Sequence, residues 1–284
     1  MANTISTKTY RDKYRLSNLD ILLRAGLVAE KIAMVDRSDA KTIQNPYGSQ
    51  PTTVIQAIAG TYTPANYTTT DDTLTVADEF IVSEQVYDFE QTLTAFDVFA
   101  DRLDEQQYSV MTAIDSFVVN AMTLGATSTY TTPVGGFTTP ANVNVIFGNL
   151  ISKVSGYADV YKGLFVVLEN TDIVGIVQSQ ATNGFSYADA ALNNGFITSY
   201  MGVDIYVVRA ATYVSATVGT KTFANSGHRL FGVKNSATYA SPRGVQFEEK
   251  GVSGKTGKEI VTYGYIGVKV WATKAALLVN ITLA

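Results

Sequence analysis

The 284-residue chain carries a single histidine and no cysteine, which limits the chemistry that its side chains could perform. Without cysteine there is no disulfide, no thiolate metal ligand and no thiol nucleophile. Any Ser-His-Asp arrangement would have to use His228, which lies in the segment SGHRLFG at the start of a predicted strand. The sequence contains no G-x-S-x-G serine elbow to support such a triad, so His228 is interpreted as a structural or surface residue.

Two other motifs match ligand-binding sites only in part. Gly254-Lys255-Thr256 resembles the end of a phosphate-binding loop, but the position that must be glycine is Glu249, whose carboxylate would repel phosphate. The carboxylates Asp71-Asp72 and Asp78-Glu79 could attract a divalent cation, although solvated pairs are the simpler interpretation. The sequence therefore predicts no catalytic residue, no cofactor and no metal site, and favours a protein that is not an enzyme.

Composition indicates a protein whose surface is largely covered by other protein. Charged residues make up 16% of the chain, against about a quarter in average domains, and there are 17 tyrosines. Residues 1–15 lack the apolar stretch of a secretory signal, and no apolar run approaches the roughly 18 residues of a membrane helix. We therefore expect synthesis in the cytoplasm and no insertion into a membrane.

Charge is distributed unevenly along a chain whose net charge is −4. Residues 1–41 carry eight basic and five acidic side chains, residues 42–152 carry one and twelve, and residues 153–284 carry twelve and eight. The acidic middle could be a solvated face, or it could meet the basic flanks of neighbouring copies, because complementary potentials guide association. The balance of +3 in the first segment is too weak for an arm that condenses nucleic acid.

Residue spacing predicts the elements that would hold these side chains. A helix is predicted from about residue 18 to 35, a Thr/Pro-rich hairpin or extended loop over 45–75, and a strand over 74–89 with both faces partly covered. Apolar residues then recur at helical spacing from Thr94 to Leu124, before Gly125. This pattern predicts one long helix.

The second half alternates between strand and helix patterns, which predicts an α/β unit followed by a β-rich end. The predicted elements are a loop over 127–140, a helix over 143–154, a buried strand over 163–169, a short helix over 172–180, two strands within 194–208 joined by a turn at Gly202, and strands at 264–271 and 275–283.

The order of these elements resembles that of the major capsid proteins of tailed bacteriophages, whose Hong Kong-97-like fold encapsulins also use. Three segments carry the resemblance: NGFITSYMGVDIYVV at 194–208, VSEQVYDFEQTL before the long helix, and the closing strands around Gly264 and Gly267. The resemblance implies an α+β fold with an N-terminal arm at 1–44, an extended β-hairpin (the E-loop) at 45–78, a β-rich peripheral domain at 79–140 with a spine helix at 92–125, an α/β axial domain at 141–245, and a return to the peripheral domain at 246–284.

The implied function is that of a coat protein that self-assembles, as hexamers and pentamers, into an icosahedral head enclosing phage double-stranded DNA. Expected partners are further copies of the chain, a separate scaffolding protein, a portal, and DNA held by non-specific contact in the virion. An encapsulin-like cargo shell is one alternative, and an extracellular β-rich adhesin or tail protein is another. The candidate assembly residues are Tyr62, Tyr67, Asp71, Asp72, Ile114, Phe117 and Gly202.

One prediction concerns covalent cross-linking between subunits, which some members of the family form through lysine. The chain has no cysteine, and no lysine lies between Lys41 and Lys153, so the E-loop cannot supply the required amine. Particles boiled in denaturing detergent should release monomers only. A ladder of covalent multimers on the gel would contradict this and would point to a lysine outside the hairpin, such as Lys153 or Lys162.

Overall fold

The computed structural model of this chain describes residues 27–48, 67–87, 98–156, 163–182, 199–252 and 256–284, together with the isolated positions 53, 55, 58 and 60. Its four described α-helices are α1 (Val28–Ile32), α2 (Val98–Gly125), α3 (Pro140–Val154) and α4 (Ile173–Thr182). No helix in these ranges is both long and apolar enough to cross a membrane.

The helix α2 confirms the long helix predicted from the apolar pattern, as far as the described residues extend. It is the longest of the described helices. Its 28 residues extend over about 42 Å at 1.5 Å per residue. It ends at Gly125, where an added Cβ would lie 2.6 Å from the Val270 side chain, so a larger residue would separate the helix end from the neighbouring strand. Leu124, the last apolar residue of the predicted pattern, is 52% exposed.

A five-stranded sheet lies against one side of α2. Its strands follow the order β1-β12-β14-β13, and β4 pairs with residues 257–266 of β14, a stretch that includes the residues paired with β13. All pairings with β14 are antiparallel, whereas β1 runs parallel to β12. The strands are β1 (Met34–Asp36), β4 (Asp78–Tyr87), β12 (Ala237–Ala240), β13 (Gln246–Gly251) and β14 (Gly257–Val270).

A six-stranded mixed sheet packs against another part of α2, in the order β5-β15-β11-β6-β8-β7. Its other face is covered by α3 and α4, so its central strand β6 is buried on both sides and reads as the continuous apolar run LFVVL. The strands are β5 (Ser128–Thr131), β6 (Leu164–Glu169), β7 (Ser199–Tyr200), β8 (Val203–Val208), β11 (His228–Val233) and β15 (Leu278–Thr282).

The largest buried cluster joins the two sheets through α2. Ile114, Phe117 and Met122 of the helix pack in the same cluster as Phe165 and Leu278 of the six-stranded sheet. Tyr239, Ile266 and Val268 of the five-stranded sheet belong to this cluster as well. One buried cluster is therefore shared by α2 and both sheets, and separate clusters lie under α3 and α4 and around Trp271.

Two small hairpins project from this body. Strands β2 (Thr42–Gly48) and β3 (Thr69–Thr75) pair in antiparallel register, from Thr42 opposite Thr75 to Gly48 opposite Thr69. The predicted hairpin is thus confirmed at its stem, three residues earlier than the predicted start. The second hairpin is formed by β9 (Thr217–Val218) and β10 (Lys221–Thr222).

The secondary structure predicted from the sequence is wrong where pairing with a strand distant in sequence decides the conformation. The first predicted helix does not reach Val35, because residues 34–36 form β1 and pair with β12. The predicted strand 74–89 is interrupted at 76–77, where the chain passes from β3 to β4. The predicted loop 127–140 contains β5, which pairs with β15. The outward face of β4 is open, since Ile81 is exposed, so the expected coverage of both faces is wrong.

The predicted domain boundaries also differ from the observed sheets. Strands β5 and β15 fall in segments that were assigned to the peripheral domain, but both belong to the six-stranded sheet. Strand β12 falls within the predicted axial segment 141–245, but it belongs to the five-stranded sheet. The reason is that pairing partners far apart in sequence decide which sheet a strand joins, and a linear division of the chain does not contain this information.

A polar residue in the apolar stripe of α2 shows how the helix is held against the five-stranded sheet. Gln106 is a polar residue within this stripe, and its side chain is buried. Its amide nitrogen donates to Glu84 at 3.2 Å, and its carbonyl oxygen accepts from the Thr262 hydroxyl at 2.8 Å. Gln106 therefore fixes the position of α2 on β4 and β14 by hydrogen bonding at a site where apolar packing alone would allow sliding.

The burial of Ile114 generates a stability prediction. Its side chain is fully enclosed between the two sheets, so Ile114→Ala should lower the free energy of unfolding by about 2–5 kcal/mol. Ile114→Asp should yield no soluble subunit, because it buries an unpaired charge. Denaturant unfolding measures the first variant and expression the second. Gln107→Asp on the exposed side of the same helix is the control, and equal effects at 107 and 114 would contradict burial of this face.

Candidate functional site

The residues that could have performed chemistry have structural partners. Nδ1 of His228 lies 2.6 Å from the side-chain oxygen of Asn280 and links β11 to β15. Its neighbour Arg229 is buried, with its guanidinium 2.9 Å from Glu169 and also paired with Asp172. No group of three or more His, Asp or Glu side chains suited to a metal ion occurs in the described ranges. Gly254 and Lys255 lie outside the described residues.

The carboxylate pairs that were considered as a cation site are separated by their contacts. Asp78 accepts hydrogen bonds from the Thr220 backbone N–H at 2.6 Å and from its hydroxyl at 3.0 Å. It therefore holds the β9–β10 hairpin at the start of β4. Asp72 is used to anchor the β2–β3 hairpin, while Asp71 and Glu79 are exposed.

Asp72 is the polar anchor of the β2–β3 hairpin. One carboxylate oxygen lies 2.9 Å from the Lys269 ammonium of β14, and the other accepts the backbone N–H of Ala272 at 2.8 Å. Burial would by itself raise the pKa of Asp72, but the hydrogen bond from Ala272 and the charge of Lys269 outweigh it and hold the pKa below its ordinary value. The hairpin stem is thus tied to the body by a charge-assisted pair of contacts.

An apolar cluster supports this polar anchor. Leu74 of β3 is buried against Trp271 and Ala240, with Ile43 and Val76 packed beside them. The Trp271 indole N–H donates to the Thr238 hydroxyl at 2.8 Å, which fixes the ring. Trp271 is the only tryptophan in the chain, so its fluorescence reports on the hairpin anchor alone.

Beyond the anchor, the hairpin exposes apolar side chains. Tyr67 is 73% exposed, and its ring lies over Gly48, where an added Cβ would come within 2.2 Å of the ring. Further toward the tip, Ile55 and Ile58 have relative exposures of 97% and 103%. Tyr62, another predicted assembly residue, lies outside the described residues. The described positions of this segment therefore combine a fixed stem with apolar groups that the described residues of the chain do not cover.

The remaining predicted assembly residues lie away from the hairpin, either in the core of the subunit or in another turn. Ile114 and Phe117 are buried in the core of the subunit itself. Gly202 has a positive φ of 79° in the turn between β7 and β8, a conformation that glycine adopts without strain. The structure thus brings together only Tyr67, Asp71 and Asp72 on one element.

Three anchoring residues were not predicted from the sequence. Lys269 and Trp271 lie at the end of β14, almost 200 residues from the hairpin stem that they hold, and no local pattern connects them to it.

Asp115 of α2 accepts the backbone N–H groups of Val28 and Ala29 at 3.2 and 2.8 Å, which fixes the start of α1. Burial raises the pKa of Asp115 despite these hydrogen bonds. The sequence offered one signal for this contact, which is a single acidic residue, Asp115, on the apolar side of the predicted long helix.

The anchor predicts the behaviour of the free subunit. Asp72→Ala removes the hydrogen bond from the Ala272 N–H and the contact with the Lys269 ammonium. Hydrogen bonds to a charged group contribute about 1.5–3 kcal/mol, so amide exchange in β2 and β3 should accelerate roughly tenfold to a hundredfold. Trp271 fluorescence should change as well. Because the pKa of Asp72 is lowered, its stabilising contribution is present above the ordinary value of 3.8 and is lost as the pH falls through the folded pKa. Acidification should therefore reproduce the effect of the variant.

Asp71→Ala is the matched control for this measurement, since the adjacent Asp71 carboxylate is exposed. It should leave both exchange and fluorescence unchanged at neutral pH. Identical exchange in Asp72→Ala and the unmodified chain would show that the carboxylate does not hold the stem.

Comparison with known proteins identifies the architecture. No model of a known protein family matches the sequence, and no curated protein matches it. Solved structures do match over nearly the full length. The capsid of cyanophage P-SCSP1u has a TM-score of 0.74 at 13% identity, covering 100% of this chain and 93% of that one. The mature capsid of bacteriophage PhiM1 has a TM-score of 0.70 at 8% identity, covering 92% and 88%. The capsid of the native GTA particle has a TM-score of 0.67 at 14% identity, covering 100% and 96%.

These likenesses cover 92% to 100% of this chain, at identities too low to carry more than the architecture. The α+β chain therefore has the Hong Kong-97-like fold of phage capsid proteins.

Proposed function

We propose that the protein is a major capsid protein that assembles into a closed icosahedral head enclosing double-stranded DNA. The observation that carries the proposal is the β2–β3 hairpin, whose stem is anchored through Asp72 and Leu74 while Ile55 and Ile58 stand fully exposed. Apolar side chains held away from the body are covered when a second subunit supplies a surface for them. The capsid fold supports this assignment.

The mechanism is one of repeated non-covalent contact. The core shared by α2 and both sheets gives a rigid subunit, and the projecting hairpin extends beyond it to reach a neighbour. Many identical contacts around closed symmetry yield a stable shell without any catalytic group. Asp71, exposed at the hairpin stem, is free to meet a basic group of the neighbouring copy in this arrangement.

The proposal includes partners beyond the shell itself. A separate scaffolding protein and a portal would direct closure, synthesis would occur in the host cytoplasm, and the final location would be the virion. An encapsulin-like shell differs in its contents. Nuclease-resistant double-stranded DNA inside purified particles supports the phage head, and a packaged protein cargo without DNA supports the compartment.

The decisive assembly experiment is sedimentation velocity with electron microscopy of the expressed chain, alone and with its scaffold and portal. Closed particles are expected. A chain that remains a monomer in every combination would overturn the proposal.

The hairpin tip gives a sharper prediction. Ile55→Ser combined with Ile58→Ser should leave thermal unfolding of the subunit unchanged, because neither side chain contacts the core, while particle yield falls at least about tenfold. Val134→Ser combined with Val218→Ser removes two exposed apolar residues elsewhere and is the matched control. Normal particles from the hairpin variant, or an equal loss from the control, would rule out the hairpin as the principal contact.

A further inference from the structure

Three lysines from separate parts of the chain meet at the turn between β11 and β12. Lys234 lies in the turn, Lys31 in α1, and Lys274 after β14. The Lys274 ammonium donates to the backbone carbonyl of Asn235 at 3.0 Å, and the Asn235 N–H donates to the carbonyl of Ile32 at 2.9 Å. These contacts bring α1 and the segment after β14 to one point on the surface.

An aromatic ring organises two of the three ammonium groups. Nζ of Lys234 lies 5.3 Å from the centroid of the Tyr206 ring, and Nζ of Lys31 lies 5.9 Å from it. The two nitrogens are therefore at most 11.2 Å apart, the sum of those distances. Both lie within the range of cation–π attraction, which restricts the flexible stems and keeps the charges together.

The cluster keeps a positive balance in an acidic protein. Asp204 pairs with Lys234 at 2.6 Å, and Glu30 next to Lys31 is engaged by Arg37 at 2.9 Å. Within the described ranges, no carboxylate lies within 4.0 Å of the Lys31 or Lys274 ammonium. The three lysines and Asp204 have a balance of +2, and including Asp115, which interacts electrostatically with Lys31, the balance is still +1, while the whole chain has a net charge of −4.

We propose that Lys31, Lys234 and Lys274 form a contact site for the phosphate backbone of duplex DNA, an inference that rests on the proposed function. Lysine ammonium groups are compact point charges, which suit phosphates without reading base sequence. The carboxylates of a neighbouring copy are the poorer match, because Asp72, Glu84 and Glu249 already contact basic side chains of their own chain, which leaves isolated groups such as Asp71 in place of an acidic cluster. A site of three lysines holds DNA at defined points and does not condense it.

The test is binding of a 20-base-pair duplex of mixed sequence to the unassembled full chain, measured by fluorescence anisotropy over a range of salt concentrations. In the triple variant Lys31→Gln, Lys234→Gln, Lys274→Gln, binding at low salt should weaken at least about tenfold, and the log–log salt slope should decrease by about 2 to 3, since each phosphate contact contributes about 0.9. Glutamine keeps most of the aliphatic stem, so packing against Tyr206 is retained.

The control removes the same number of charges elsewhere, through Lys221→Gln, Lys250→Gln and Lys258→Gln. This variant should keep most of the affinity and nearly the full salt slope. Equal losses in the two variants, or no binding by the unmodified chain, would overturn the site. Polyglutamate that displaces the duplex as well as competitor DNA does would show a site for acidic protein instead.

Sedimentation of the same variants with scaffold and portal separates this inference from the proposed function. The Lys31/Lys234/Lys274 variant should still form shells. If it loses assembly while keeping DNA affinity, the cluster is a subunit contact and the DNA site is wrong. If the unmodified chain binds DNA through the cluster but forms no shell under any condition, the capsid assignment fails and the site stands.

Discussion

The fold depends on one constraint, which is that a single helix must bury apolar residues against two sheets at once. Ile114, Phe117 and Met122 of α2 share a cluster with residues from both sheets, and Gln106 fixes the helix on β4 and β14 by hydrogen bonds. Since neither sheet could cover its inner face without α2, the helix sets their relative position. The close approach of Gly125 to Val270 then fixes where the helix ends.

This rigid body explains how a two-stranded hairpin can project from it. An isolated hairpin is marginal in water, and the β2–β3 stem buries only a small apolar cluster around Leu74 and Trp271. The contacts of Asp72 with Lys269 and Ala272 supply the remaining attachment, at a point where β14 leaves the five-stranded sheet. The stem is therefore fixed by the subunit, whereas Ile55 and Ile58 are left exposed by the described part of the chain.

Several charged side chains of this protein are paired within the chain itself. Part of the strongly acidic segment 42–152 is neutralised within the chain, as Asp72 and Glu84 pair with Lys269 and Arg102. Asp78 and Asp115 act as backbone acceptors that hold neighbouring elements. The uneven distribution along the sequence is thus partly compensated by folding, which leaves small exposed groups such as Asp71 and the Lys31/Lys234/Lys274 cluster to meet partners.

The sequence by itself determined the elements whose formation is local. The period of apolar residues predicted α2 and its end at Gly125, the run LFVVL predicted a buried strand, and the Thr-rich segment predicted a hairpin. Only the tertiary structure decided that residues 34–36 become a strand, that β5 and β15 join the six-stranded sheet, and that Lys269 meets Asp72. These features depend on pairing between residues distant in sequence, because their backbone hydrogen bonds and ion pairs exist only where the folded chain brings the two partners together.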